Sequence, residues 1–78
     1  MIQAKIKKGD LIKTKSDIWG SYWSHYGHVN FEIKKDMLFI AIADQVYIPE
    51  MSAAEVDCFI DNKIVTIVLR DNEKLQII

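Results

Sequence analysis

Cysteine, proline and glycine are all scarce in this chain, which has one cysteine (Cys58), one proline (Pro49) and three glycines among its 78 residues. A lone cysteine excludes an intramolecular disulfide and points to a reducing compartment, so a cytoplasmic protein is expected. The glycines, Gly9, Gly20 and Gly27, match no phosphate-cradling loop. Long apolar runs are missing too: the longest, Met37 to Ala43, falls far short of the roughly 20 residues that cross a bilayer. The opening, Met1-Ile2-Gln3-Ala4-Lys5, meets lysine before any apolar stretch of signal-peptide length. Neither membrane insertion nor secretion is expected.

What is present suits one folded domain spanning residues 1–78. Half of the residues are hydrophobic and 27% are charged, enough to collapse around a single core. Burial in so small a domain leaves only about 3–5 kcal/mol over chain entropy. Without a disulfide or metal staple, self-association is a natural supplement. The net charge of −1 gives no general pull toward nucleic acid. Its distribution is uneven, however, with Lys5, Lys7, Lys8, Lys13, Lys15, Lys34 and Lys35 in the first half and most carboxylates in the second.

The recurring period is two, the mark of half-buried strands. Asp10 to Lys15 alternates, and Val29, Phe31 and Ile33 oppose Asn30, Glu32 and Lys34. After a turn at Lys34-Lys35-Asp36, Met37 to Ala43 is apolar on both faces, as in a strand covered on both sides or facing a partner. Val56, Cys58 and Ile60 alternate with Asp57, Phe59 and Asp61, and Ile64 to Leu69 is rich in β-branched residues. Asp61-Asn62 between these runs tolerates the positive φ of a two-residue hairpin turn. Arg70 to Glu73 reads as a further turn before a closing strand, Leu75 to Ile78. Ser52 and Glu55 have capping-box spacing, so at most one short helical turn is expected near Ser52–Glu55. The expected fold is all-β: five to six strands closed into a small barrel, because an open sheet of this size exposes sticky edges.

Lys8-Gly9-Asp10-Leu11-Ile12-Lys13-Thr14-Lys15, then a long loop, then Gly27-His28-Val29-Asn30-Phe31-Glu32-Ile33 resembles the first two strands of SH3-like small barrels of the KOW type. The resemblance covers residues 8–33. It implies a barrel that binds peptides, protein surfaces or nucleic acid, with the segment Asp17 to Tyr26 as its variable, ligand-facing loop.

That segment and its flank, Asp17 to His28, hold both tryptophans, two of the three tyrosines and both histidines. Indole and phenol rings bring large contact area at low rotamer cost and dominate binding hot spots. Trp19, Tyr22, Trp23, His25 and Tyr26 are therefore the candidate partner-binding residues. The bland alternative folds these rings inward to plug one end of the barrel, and at least one tryptophan is expected in the core. His25 and His28 lack the further ligands of a zinc site, so no metal or other cofactor is expected. Cys58 falls on the inward phase of its strand, where cysteine acts as a small hydrophobe rather than a nucleophile. The carboxylates sit in turns or on exposed faces, and no catalytic set emerges.

The expectation is a non-catalytic module that docks on a larger protein, regulating or inhibiting it, with a homo-oligomer as a variant. Its size and style suit an accessory protein of a phage or mobile element. The alternative is a nucleic-acid-binding barrel that stacks bases on the same rings and neutralises phosphates with Lys13, Lys15, Lys34 and Lys35.

Overall fold

A computed structural model of the chain describes residues 5–70 and 74–78. It is all-β, with eight strands in one sheet. In chain order they are β1 (Leu11–Thr14), β2 (Ile18–Ser24), β3 (Gly27–Ile33), β4 (Leu38–Ala41), β5 (Val46–Ile48), β6 (Ala53–Ile60), β7 (Lys63–Leu69) and β8 (Leu75–Ile77). The order across the sheet is β3-β2-β7-β6-β4-β1-β8, with β5 also paired to β6. Every pairing is antiparallel.

Two expectations are corrected here. The strand count is eight, not five to six, and the sheet is open: among the described residues β3 and β8 end the strand order without pairing to each other. The extra strands are β2 and β5. Residues 17–26, expected as a loop, are mostly β2, and what looked like loop punctuation at Gly20 has a packing cause. A Cβ on Gly20 would lie 2.5 Å from Val65 Cγ1 and 3.1 Å from the Thr66 carbonyl oxygen. Glycine is there because β7 passes too close for any side chain.

The core follows the period-two phase. Ile12, Ile18, Ile33, Phe39, Ala41, Val56, Cys58, Ile60, Val65, Ile67, Leu69 and Leu75 turn to one face of the curled sheet, and Ile6 joins them from the segment before β1. Thr14 is the one buried polar residue among those described, and it is fully satisfied. Its hydroxyl donates to the Lys34 carbonyl at 2.6 Å and accepts from the Met37 amide at 2.9 Å. That pair of bonds pins the β3–β4 connection to β1, where Asp36 takes a φ of 68°. So the turn at 34–36 exists, yet β4 pairs with β1 and β6 instead of folding back on β3.

Asp61 and Asn62 both have positive φ, 56° and 62°, and close the β6–β7 hairpin as a two-residue turn of the kind their side chains favour. The expected helical turn is displaced. A single 3-10 turn occupies Pro49–Met51, with proline at its start, and Ser52 ends it in a left-handed conformation instead of opening a helix. Proline fixes φ at a value that suits a first helical position, which settles where the turn begins. Of the two readings of Met37 to Ala43, cover on both faces is not what β4 shows: it buries Phe39 and Ala41 but exposes Leu38 and Ile40. The turn read at Arg70 to Glu73 lies largely outside the described residues.

Candidate functional site

β2 and β3 form a hairpin with a fully continuous register, from Ile18↔Ile33 to Ser24↔Gly27, as long as that of β6 and β7. His25 and Tyr26 make its tip. Gly27 adopts a φ of 105° to leave the turn, while Ser24 Oγ accepts from the Tyr26 amide at 3.1 Å and donates to the Gly27 carbonyl at 3.0 Å. The tip is therefore a braced turn.

Alternation along β2 separates the candidate rings. Trp19 and Trp23 stand on the outer face, 63% and 75% exposed, and Tyr26 projects from the tip at 99%. Neither tryptophan belongs to the core, which corrects the expectation that at least one would. The reason is phase: Ile18, Gly20 and Tyr22 take the inward positions, so residues 19, 21 and 23 must face out. Tyr22 is half-buried against Phe31 in an edge-to-face pair with ring centroids 6.1 Å apart, and the Lys63 ammonium lies over both rings. His25 is exposed in the turn, and His28 pairs across the hairpin with Trp23, ring centroids 3.9 Å apart.

Beside this hairpin lies a groove of about 750 Å³, lined among others by Trp23, His28, Phe59, Lys63 and Ile64, with Ser21, Asp57 and Thr66 as its polar side. Thr66 Oγ1 donates to Asp57 Oδ1 at 2.7 Å, which holds that polar side in place. The apolar side does not stop at the groove. Ile64 pairs with Phe59, Phe59 with Ile40, and Ile40 with Leu11. Directly opposed residues share a face of an antiparallel sheet, so the four side chains make one outer row across β7, β6, β4 and β1. All four are exposed, from 41% at Leu11 to 59% at Ile64. Ile78 extends the row, since its amide donates to the Leu11 carbonyl at 2.8 Å.

Sequence reading missed this row, although a signal was there. Phe59 occupies a polar-phase position between Asp57 and Asp61, and Ile64 and Ile40 are likewise apolar where the alternation calls for polar residues.

The four candidate lysines are not gathered around the hairpin tip. Lys34 and Lys35 follow the far end of β3, where the Lys35 amide donates to Asp17 Oδ1 at 2.7 Å. Lys34 pairs with Glu32 at 2.9 Å, and that hydrogen bond and charge, with Asp17 nearby, raise its pKa. Lys13 reaches Asp36 at 3.7 Å. Lys15 is exposed, and its amide donates to the Lys74 carbonyl. That end of the sheet carries a second hollow of about 370 Å³, lined by Asp17, Trp19, Val68, Arg70 and Lys74 among others.

Cys58 is wholly buried, and burial, followed by the charge of Asp57, pushes its thiol up to about 12. A thiol held that firmly in its protonated form is a poor nucleophile at neutral pH. Among the described residues no three His, Cys, Asp or Glu side chains converge as metal ligands. None of the described helices is long and apolar enough to cross a membrane. Comparison with known proteins finds no matching family model, no matching curated protein and no matching solved structure.

Proposed function

We propose that this protein is a non-catalytic protein-interaction module whose docking surface is the outer face of the sheet, from Trp23 and the groove beside it along the row Ile64, Phe59, Ile40 and Leu11. The observation that carries the reading is the row itself. At about 4.8 Å per strand, four strands plus the flanking Trp23 on β2 span about 19 Å. An apolar strip of that length, with an aromatic anchor at one end and hydrogen-bonding groups along its side, fits a protein ridge such as an amphipathic helix. The expected loop is replaced by a rigid hairpin, so Trp23 is presented with little ordering cost on binding. Inhibition or regulation of the partner remains part of the proposal.

A kinship with SH3-like barrels is proposed at the local level only. The Gly9-Asp10 turn does precede β1, and Gly27-His28-Val29 does open a strand, but β2 stands where that family has its loop.

The nucleic-acid reading is favoured by one observation, the hollow where Trp19 meets Arg70 and Lys74. Against it stand the carboxylate partners of Lys13 and Lys34. Affinity capture by the wild type and by Trp23→Ser and Phe59→Ser variants, each checked for an unchanged fold, tests the leading reading. A protein partner held at high salt and released by either substitution supports it; each loss should cost at least about 2 kcal/mol of binding. Capture of nucleic acid that fades steeply with salt selects the alternative.

A further inference from the structure

Three strands of this open sheet, β3, β5 and β8, pair along one side only among the described residues, and they differ in a way that identifies what covers one of them. β5 and β8 are three-residue edges, short enough to be poor templates. β3 has seven residues, pairs among the described residues only with β2, and does so without a bulge or proline. Half of its main-chain donors and acceptors point away from β2. Ser24 and Gly27 flank a two-residue turn and so form a hydrogen-bonded pair. Alternation then turns the outward groups of the strand to His28, Asn30 and Glu32.

The same strand is its own complement. About Asn30, antiparallel pairing with a second copy places Glu32 opposite His28 and Phe31 opposite Val29, twice over by symmetry. Only that axis does this. Moving it to Phe31 sets Lys34 against His28, and moving it to Val29 sets Phe31 against Gly27. The Asn30 axis is also one on which the outward-pointing residues face each other, as main-chain pairing requires.

The inner face supplies a second reason. Tyr22, Val29 and Phe31 are only half-buried, and Tyr22 and Phe31 pack at the margin of the core where the sheet stops. A strand added beyond β3 continues that margin. On the outer face it aligns Trp23 and His28 of one copy with Glu32 and Trp19 of the other, since Trp23 pairs with His28 and Trp19 with Glu32.

We propose that the protein forms a two-fold dimer in which β3 pairs with β3 of a second copy, centred on Asn30, making one continuous sheet. An isologous contact of this kind closes on itself and does not propagate.

Sedimentation velocity of the full chain from micromolar to millimolar concentration tests it. The expected species has twice the 9.0 kDa chain mass. Asn30→Pro removes an outward N–H while sparing the β2 ladder, and His28→Glu opposes two carboxylates; each should weaken the dimer at least tenfold while the circular dichroism stays that of the wild type. The double variant His28→Glu with Glu32→Lys should restore the dimer, because it reverses both ends of the same contact. Phe59→Ser, on the outer row, should leave the dimer intact, which separates this contact from the docking face. A wild type that stays monomeric throughout, a dimer indifferent to both single variants, or a double variant no tighter than His28→Glu overturns the proposal.

Discussion

Replacing Gly20 by alanine tests whether the segment around the tryptophans is a packed strand. The added Cβ would sit 2.5 Å from Val65 Cγ1, about 1 Å or more inside an ordinary carbon contact. Val65 is fully buried, and a β-branched side chain has few rotamers with which to yield. The Thr66 carbonyl at 3.1 Å is backbone and yields less. Overpacking of this kind costs about 1–3 kcal/mol, offset by about 0.5–1 kcal/mol because alanine has less freedom than glycine to lose. These ranges leave a net loss of about 0–2.5 kcal/mol. The depth of the overlap places Gly20→Ala in its upper part, about 1–2.5 kcal/mol, a fall in Tm of roughly 4–20 °C for a domain this small. Urea denaturation should show a lower midpoint at unchanged slope. Val65→Ala relieves the overlap, so the double variant should lose clearly less than the sum of the two single ones. A Gly20→Ala protein as stable as wild type, or losses that simply add, would mean that the segment is the loop its composition suggested.

Thr14→Val keeps the shape of a buried side chain but leaves the Lys34 carbonyl and Met37 amide unpaired; a loss of about 1–3 kcal/mol is expected in chemical denaturation, and no loss would show that the hydroxyl bonds are dispensable. Cys58 ionises in the unfolded chain above about pH 9 and in the folded one only near 12, so the unfolded state binds fewer protons between these values and stability must fall as pH rises through that window. Comparison with Cys58→Ala isolates its share, a slope of up to about 1.4 kcal/mol per pH unit, and identical slopes would contradict a buried protonated thiol. Acrylamide should quench both indoles freely, given exposures of 63% and 75%; two shielded tryptophans would remove the outer-face anchor.

The parts of the fold legible in the sequence were those where one face is buried and the other wet. β1, β3 and β6 announce themselves because each alternates, β7 because it is rich in β-branched residues, and Asp61-Asn62 names its own turn. β2 was hidden because its outer positions are Trp19, Ser21 and Trp23 and its inner ones Ile18, Gly20 and Tyr22, so hydrophobicity does not alternate at all. Glycine weakens any strand signal, and its reason, the approach of β7, is a long-range contact. Closure into a barrel was inferred from the hazard of free edges, a sound general concern. It did not foresee a sheet whose order places β3 and β8 at opposite ends. Of the candidate site, exposure of Trp19, Trp23 and Tyr26 was within reach of composition. Their separation from Tyr22 needed the phase of β2, and the apolar row needed the register of four strands.

If the dimer forms through β3, its geometry constrains how partners dock. Edge pairing extends the sheet in its own plane and covers neither outer face, so both grooves stay open. From β2 of one copy to β2 of the other there are three strand steps, about 14 Å in the hydrogen-bonding direction. Each step adds about 20–25° of twist, so the two outer faces are turned by roughly 60–75° relative to each other. A single straight helix cannot lie along both apolar rows at that angle, and each copy must take its own partner. Two partners per dimer are therefore expected, with affinity per site unchanged in the Asn30→Pro monomer. Calorimetric titration giving one partner per dimer, or a monomer that binds far more weakly, would show that the two faces act as one surface.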